Sequence, residues 1–247
     1  MKRILLASDF DGVIVPPGAA PGAIRWHAQA RALFRRLQYR EDVALAIMSG
    51  RDPEELLAAT RGIRCYIAGS YGRYLRDEGG TVLRDPPQFE APEGAWAGAV
   101  RELGGVVERK RHGMAVHWRM SSALGSQHAA VVAFRAWARD QQLRVLEGHD
   151  SCEALVRGPA KLAALRFLVH LSGADSVIYA GDDESDFRAL RWAALYGSAF
   201  YVGRDGRMLG ARVETVKSIA DLWRQLGNLP VFRQRSNVSG RRPTRSS

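Results

Sequence analysis

The sequence predicts an α/β fold: a parallel sheet with helices on both faces, interrupted by a smaller α+β insert. Three observations lead there. Apolar runs of strand length recur, each stopping at a polar loop; helical patterns separate them; and between roughly Pro92 and Arg157 the order changes to helix-strand-strand, used twice.

Taken in order, residues 3–8 form the first buried run and end at Asp9-Phe10-Asp11-Gly12. A helical pattern over 23–37 leads to a second run, 43–48, ending at Ser49-Gly50-Arg51, and a short helix over 53–59 follows. The insert reads as helix 95–103, strands 106–110 and 114–119, helix 126–141, and strands 143–146 and 152–156, with turns at His112-Gly113 and 148–150. It forms a small antiparallel sheet covered by two helices. A helix over 161–171 then precedes runs 176–180 and 199–202, which end at Gly181-Asp182-Asp183 and Gly203. The expected division is a core of 1–90 and 158–230, a cap of 91–157 hinged at Pro86-Pro87 and Gly158-Pro159, and a tail of 231–247. In such a sheet ligands bind at the carboxyl ends of the strands, where the polar clusters fall.

Composition bounds the reading. With 247 residues, 46% hydrophobic and 25% charged, the chain can bury one large core or two modest ones. No apolar run approaches the ~20 residues a membrane span needs, and the opening apolar stretch meets Ser8 and Asp9 too soon for a signal peptide, so a cytoplasmic protein with no membrane partner is expected. Cys65 and Cys152 have no metal-ligand spacing and read as small buried residues. The net charge of +10 invites a nucleic-acid partner, but Arg233, Arg235, Arg241, Arg242 and Arg245 supply five of those charges in a tail expected to be disordered. The remaining excess suits an anionic substrate.

Asp9 and Asp11 leave a strand end on one side, roughly 6–7 Å apart at strand rise. Two carboxylates so placed repel, and a divalent cation relieves that cost while one attacks phosphorus and the other handles a proton. A solvated surface turn is the plain alternative. Asp182, Asp183 and Asp186 form a second acidic cluster of oxygen donors suited to magnesium. Helix capping is the alternative there, and both readings hold together if Asp182 binds metal while Asp186 orients a neighbour. Ser49 either cradles a phosphate or caps a helix. Lys161 opens a helix and, taken alone, reads as a surface lysine. Their order gives them force: acidic pair, hydroxyl-Gly-Arg, lysine and Gly-Asp-Asp describe a phosphoryl-transfer centre with nucleophile, phosphate clamp and metal.

These four elements resemble the motifs of the haloacid dehalogenase superfamily, whose core is Rossmann-like, over nearly the whole chain to about Pro230. The resemblance implies Asp9 as nucleophile and Asp11 as general acid and base. It implies Mg²⁺ on the Asp9 carboxylate, the Asp11 backbone carbonyl and Asp182, with Ser49 and Lys161 on the phosphoryl group. The insert is similar to the cap of the sugar-phosphatase branch, most of all the trehalose-6-phosphate phosphatase family, through Val107-Glu108-Arg109-Lys110, Val116-His117-Trp118-Arg119, Glu153 and Tyr201-Val202-Gly203. It implies a small phosphorylated sugar as partner, with Arg51, Glu108, Lys110, Arg119 and Glu153 on the substrate side; a charged sheet facing water is the alternative for the cap residues. Three positions depart from the family pattern: Tyr71 replaces a histidine, Leu162 a glycine and Val13 a threonine.

Other classes fit less of the chain. A phosphatase of another sugar, such as mannosylglycerate phosphate or sucrose phosphate, keeps the chemistry and changes the cap's ligand. A phospho-accepting signalling domain shares the acidic pair, hydroxyl and lysine but has no place for the insert. Nucleic-acid binding rests on charge alone.

Overall fold

The computed structural model describes residues 2–17, 24–148 and 150–233. The tail expected to be disordered therefore lies outside the described residues beyond Arg233.

The core is an eight-stranded sheet. Strands β1 (Ile4–Asp9), β2 (Val43–Met48) and β3 (Tyr66–Gly69) run parallel on one side, and β10 (Ser176–Gly181), β11 (Gly197–Val202) and β12 (Val213–Val216) run parallel on the other. Two antiparallel strands, β4 (Tyr74–Arg76) and β5 (Val82–Arg84), extend the β3 edge. β1 lies between β2 and β10, so the chain winds away from it in both directions. That switch point brings the ends of β1 and β10 side by side, with Ser8 in register with Ala180.

β1, β2 and β10 read as continuous apolar runs because both faces are covered. Leu6, Leu45, Ile47, Ile178 and Phe200 point to one face, against Phe34 and Leu37 of α1 (Ala28–Leu37), Leu56 of α2 (Pro53–Ala59) and Trp223 and Leu226 of α7 (Ile219–Asn228). Leu5, Ala7, Ala44, Ala46, Met48 and Tyr179 point to the other, against Leu165 and Leu168 of α5 (Lys161–Ser172) and Ala189, Leu190 and Ala193 of α6 (Phe187–Tyr196).

The sequence reading missed β3, β4, β5, β12 and α7, and it started α1 too early. β4 and β5 have three residues each, too short for a periodic signal. Residues 24–27 are not helical: Trp26 packs edge-on against both Phe10 and Phe34 and donates its indole N–H to Ala59 O at 2.9 Å, while the His27 amide binds Ile14 O. Tertiary contacts there override the apolar pattern, whose first residue, Ala23, lies outside the described residues.

The insert forms its own four-stranded antiparallel sheet in the order β6 (Val106–Lys110), β7 (Gly113–His117), β9 (Ser151–Leu155) and β8 (Arg144–Glu147). Helices α3 (Trp96–Glu102) and α4 (Ala129–Asp140) cover one face with Trp96, Val100, Val131 and Phe134 against Met114, Val116, Cys152 and Ala154. Strand alternation sends Glu108, Lys110, Ala115 and Glu153 to the opposite face, and the pairings Glu108–Ala115 and Ala115–Glu153 put them in one row. A single methyl group separates the two glutamate positions. The polar face of the insert follows from register alone.

Contacts along one seam join insert to core, among them ion pairs of Arg111 with Asp85 at 2.7 Å and Glu54 at 3.4 Å. The Arg111 amide binds both oxygens of Asp52 at 3.0 Å; His112 Nδ1 meets Ser70 Oγ at 3.0 Å; Tyr71 Oη donates to Glu153 Oε1 at 3.1 Å; and Arg73 Nε donates to Val156 O at 2.6 Å. The His112 ring is fully buried, and its other nitrogen reaches Asp85 Oδ1 and Pro86 O, both at 3.2 Å. The sequence marked His112 only as a turn residue; its seat at the start of the linker is a tertiary outcome.

Candidate active site

β1 ends in a turn whose geometry is set by Phe10. Its buried ring anchors the turn in the core, its amide donates to Asp9 Oδ1 at 2.8 Å, and its carbonyl accepts the Ile14 and Val15 amides. Asp9 is thereby buried. Opposite it, Lys161 opens α5 with its whole side chain buried, and its Nζ lies 2.9 Å from both Asp9 Oδ2 and Asp186 Oδ1. The residue that reads as a surface lysine in isolation is a buried cation between two carboxylates. Burial works against its charge, but Asp186 and Asp9 outweigh it and hold the lysine pKa well above its ordinary value.

Asp182 and Asp183 follow β10. Asp183 Oδ1 accepts the Ser185 amide at 2.9 Å, forming with Asp186 a reciprocal cap on the helical turn that leads into α6. The capping reading therefore holds for Asp183. Asp186 accepts Lys161 at 2.9 Å and Tyr179 Oη at 2.5 Å on one oxygen, and the amides of Asp182 and Asp183 at 3.3 and 3.5 Å on the other. It orients the lysine and the loop. The Asp182 carboxylate rests over Gly12, where a Cβ would fall 1.8 Å from Oδ2 and where φ is +73°. Only glycine fits on both counts.

Among the described residues, Asp9, Asp182 and Asp186 bring carboxylate oxygens within 4.8 Å of one another, with one ammonium to offset three acids. Burial and the neighbouring Asp186 push Asp9 well above the ordinary carboxylate range, and burial followed by Asp186 and Asp183 pushes Asp182 up to about 7. Such a cluster is short of positive charge, and its all-oxygen donor set fits a hard divalent cation. Asp186 takes four donors across its two oxygens, whereas Asp9 takes one on each, the Phe10 amide and Lys161 Nζ, so Asp9 and Asp182 keep more lone pairs open to an ion. Gly12→Ala is expected to break this arrangement by moving Asp182. Activity should fall at least about 100-fold while the strained φ costs about 1–2 kcal/mol of stability, read by steady-state assay and thermal unfolding.

Ser49 is buried at the end of β2, its amide bound to Ala68 O at 2.8 Å and its Oγ accepting the Arg51 amide at 3.1 Å. Arg51 forms a two-pronged pair with Asp11, at 2.7 Å for each contact, and reaches Glu55 at 3.1 Å. Arg51, expected on the substrate side, and Asp11, expected on the proton, thus lie together at the rim, with the Asp11 carboxylate turned to the guanidinium. On the insert, Lys110 Nζ lies 2.9 Å from Glu153 and 3.9 Å from Glu108, whose Oε2 meets His117 Nε2 at 2.7 Å. Three of the four cap residues expected to contact substrate are brought together. Arg119 is not among them: β7 ends at His117, and Arg119, 60% exposed, pairs with Asp150 at 3.3 Å. Sequence reasoning missed Tyr179 as a site residue because an interior strand position reads as plain core.

The trehalose-phosphatase family profile matches residues 7–194. A curated trehalose-phosphate phosphatase of Mycolicibacterium paratuberculosis is 34% identical over 207 residues, which cover 76% of this chain and 52% of that protein. The chain spans about half the length of the mycobacterial relatives it matches. Among solved structures, the C-terminal domain of a C. albicans trehalose-6-phosphate phosphatase superposes with a TM-score of 0.69 at 17% identity, covering 92% of this chain and 91% of that one. A haloacid dehalogenase-like hydrolase of Bacteroides thetaiotaomicron gives 0.65 at 12% identity, covering 91% and 100%. At those identities the structures speak for the fold: a haloacid dehalogenase-like α/β core. With the motif residues at the sheet's switch point and the profile spanning core and insert alike, this chain belongs to the trehalose-phosphatase family.

Proposed function

We propose that this chain is a phosphatase that hydrolyses a sugar phosphate, trehalose 6-phosphate in the first place, through a phosphoaspartate on Asp9, with Mg²⁺ as its cofactor. The observation that carries the reading is the Asp9–Lys161–Asp186 bridge beside Asp182, a buried nucleophile held by a buried cation at the mouth of the sheet. Lys161 and Ser49 hold the phosphoryl oxygens. Asp9 attacks phosphorus as the bond to the sugar oxygen breaks, and Asp11 gives that oxygen its proton. Asp11 then takes a proton from the water that releases phosphate and restores Asp9. Asp9, Asp182 and the Asp11 carbonyl would hold Mg²⁺, which would supply charge stabilisation to the phosphoryl group. Arg51 serves both Asp11 and the incoming phosphate from the rim.

Residues 91–157 act as the cap, and Glu108, Lys110 and Glu153 grip sugar hydroxyls. We place the reaction in the cytoplasm, where the two free, buried cysteines stay reduced. Among the described residues no helix is long and apolar enough to cross a membrane.

The test is a panel of sugar phosphates with Mg²⁺, including sucrose phosphate and mannosylglycerate phosphate. Turnover of trehalose 6-phosphate is expected; turnover of another ester with trehalose 6-phosphate untouched transfers the reading to that sugar. Mg²⁺ alone should raise the unfolding midpoint by relieving the repulsion between Asp9 and Asp182, and Asp182→Asn should remove most of that rise. An unchanged midpoint across millimolar Mg²⁺ counts against the assigned metal pair.

A further inference from the structure

Among the described residues of the core, Ser70 and Tyr71, the step just after β3, are the two non-glycine positions with positive φ. Both residues are left-handed, Ser70 at φ 48° and Tyr71 at φ 57°, a conformation that bulky side chains rarely adopt. Three backbone hydrogen bonds hold it: Tyr71 N to Ser49 O at 2.8 Å, Ser70 N to Arg51 O at 2.9 Å and Arg73 N to Ser70 O at 3.3 Å. Two of these tie it to the loop after β2 that carries Ser49 and Arg51. The step is thus built off the phosphate-clamp loop.

The strain aims the Tyr71 ring. It lies against Gly50, where a Cβ would come within 2.4 Å of the ring's Cζ, and its centroid is 5.8 Å from Lys161 Nζ. The hydroxyl crosses the seam to Glu153 Oε1 at 3.1 Å, and the other oxygen of Glu153 takes Lys110 Nζ at 2.9 Å. Tyr71 therefore touches the catalytic lysine with its ring and the polar row of the cap with its hydroxyl. The other seam contacts, through Asp52, Glu54, Asp85, Ser70 and Arg73, engage the β6–β7 turn and the return linker. They attach the cap; none of them sets Glu153.

We propose that Tyr71 is a positioning residue that couples the cap to the phosphoryl site. Its hydroxyl holds Glu153, and through it Lys110, above Asp9 and Lys161, so that a sugar gripped by the cap arrives with its phosphate on the nucleophile. The proposal rests on the phosphatase reading and adds to it where productive sugar binding is registered.

Tyr71→Phe keeps the ring and removes only the hydroxyl. The test compares it with the unaltered protein on two esters in Mg²⁺: the sugar phosphate the panel identifies, and p-nitrophenyl phosphate, which offers the cap no sugar hydroxyls. A hydrogen bond to a charged group corresponds to a loss of about tenfold or more in kcat/KM. That loss is expected for the sugar phosphate, with a change of less than about twofold for p-nitrophenyl phosphate. Repeated in a Glu153→Ala background, the same change should cost less than about twofold on the sugar phosphate, because the acceptor of the Tyr71 hydroxyl is already gone. Equal losses on both esters, no loss on either, or a full loss that persists beside Glu153→Ala each overturn the coupling and leave the phosphatase reading intact. An unaltered protein that hydrolyses neither ester overturns both.

Discussion

Asp9→Asn is expected to reduce turnover by about 10⁴-fold or more, because the amide has no oxygen able to form and release an acyl phosphate. The substitution is nearly isosteric. The amide oxygen still accepts the Phe10 amide, and Lys161 keeps Asp186 at 2.9 Å. The protein should therefore fold, and it should do so with little loss of stability: Asp9 is buried beside Asp186 and Asp182, and a neutral side chain removes that repulsion as it removes the ion pair. Two readouts separate chemistry from folding. Intact-protein mass after brief exposure to substrate should show a phosphate adduct that the unaltered protein forms and Asp9→Asn does not. The unfolding midpoint should move by no more than a few degrees. Turnover within tenfold of the unaltered protein would remove Asp9 from the role of nucleophile.

Lys161→Met is expected to damage both activity and stability, and the second effect identifies its cause. Lys161 is 2% exposed and bridges Asp9 and Asp186, which are themselves buried, so its removal leaves two carboxylates without their cation. Breaking a buried pair from one side costs about 3–5 kcal/mol. In a chain of this size that corresponds to a drop of roughly 10 °C in unfolding midpoint.

The sign of its pH dependence follows from the same groups. Asp9 and Asp186 already have raised pKa values through burial, and Lys161 is what lowers them; without it they rise further. A carboxyl with a raised folded-state pKa contributes stability at low pH and loses it as pH rises through that value. The deficit of Lys161→Met should thus shrink as pH falls from neutrality toward the ordinary carboxylate range. A deficit that is constant with pH would assign the loss to packing of the aliphatic stem instead. Lys161→Arg gives no relief in this picture, because a guanidinium does not fit the enclosed site of an ammonium placed 2.9 Å from both acids.

The fold was legible because each strand that builds the site is a continuous apolar run that stops at a polar residue. β1 ends at Asp9, β2 just before Ser49, and β10 just before Asp182. A parallel strand covered on both faces leaves no other pattern. The short strands β4 and β5 carried no such signal, because three residues each are too few to set a period. In the insert, alternation placed Glu108, Lys110 and Glu153 on one face, whereas Arg119 lies past the end of β7, where alternation no longer governs direction.

The sequence by itself determined the doubly wound class and the order of the motifs, because these follow from periodicity and from where each apolar run stops. Tertiary structure alone decided who meets whom. Lys161 becomes a bridge between Asp9 and Asp186, Gly12 makes room for Asp182, Asp11 turns to Arg51, His112 closes the linker, and Tyr71 joins core to cap. The longest of those pairings, Gly12 with Asp182, joins residues 170 positions apart. Their geometry depends on sheet register and on where burial makes an unpaired charge too costly, and neither is written in local pattern.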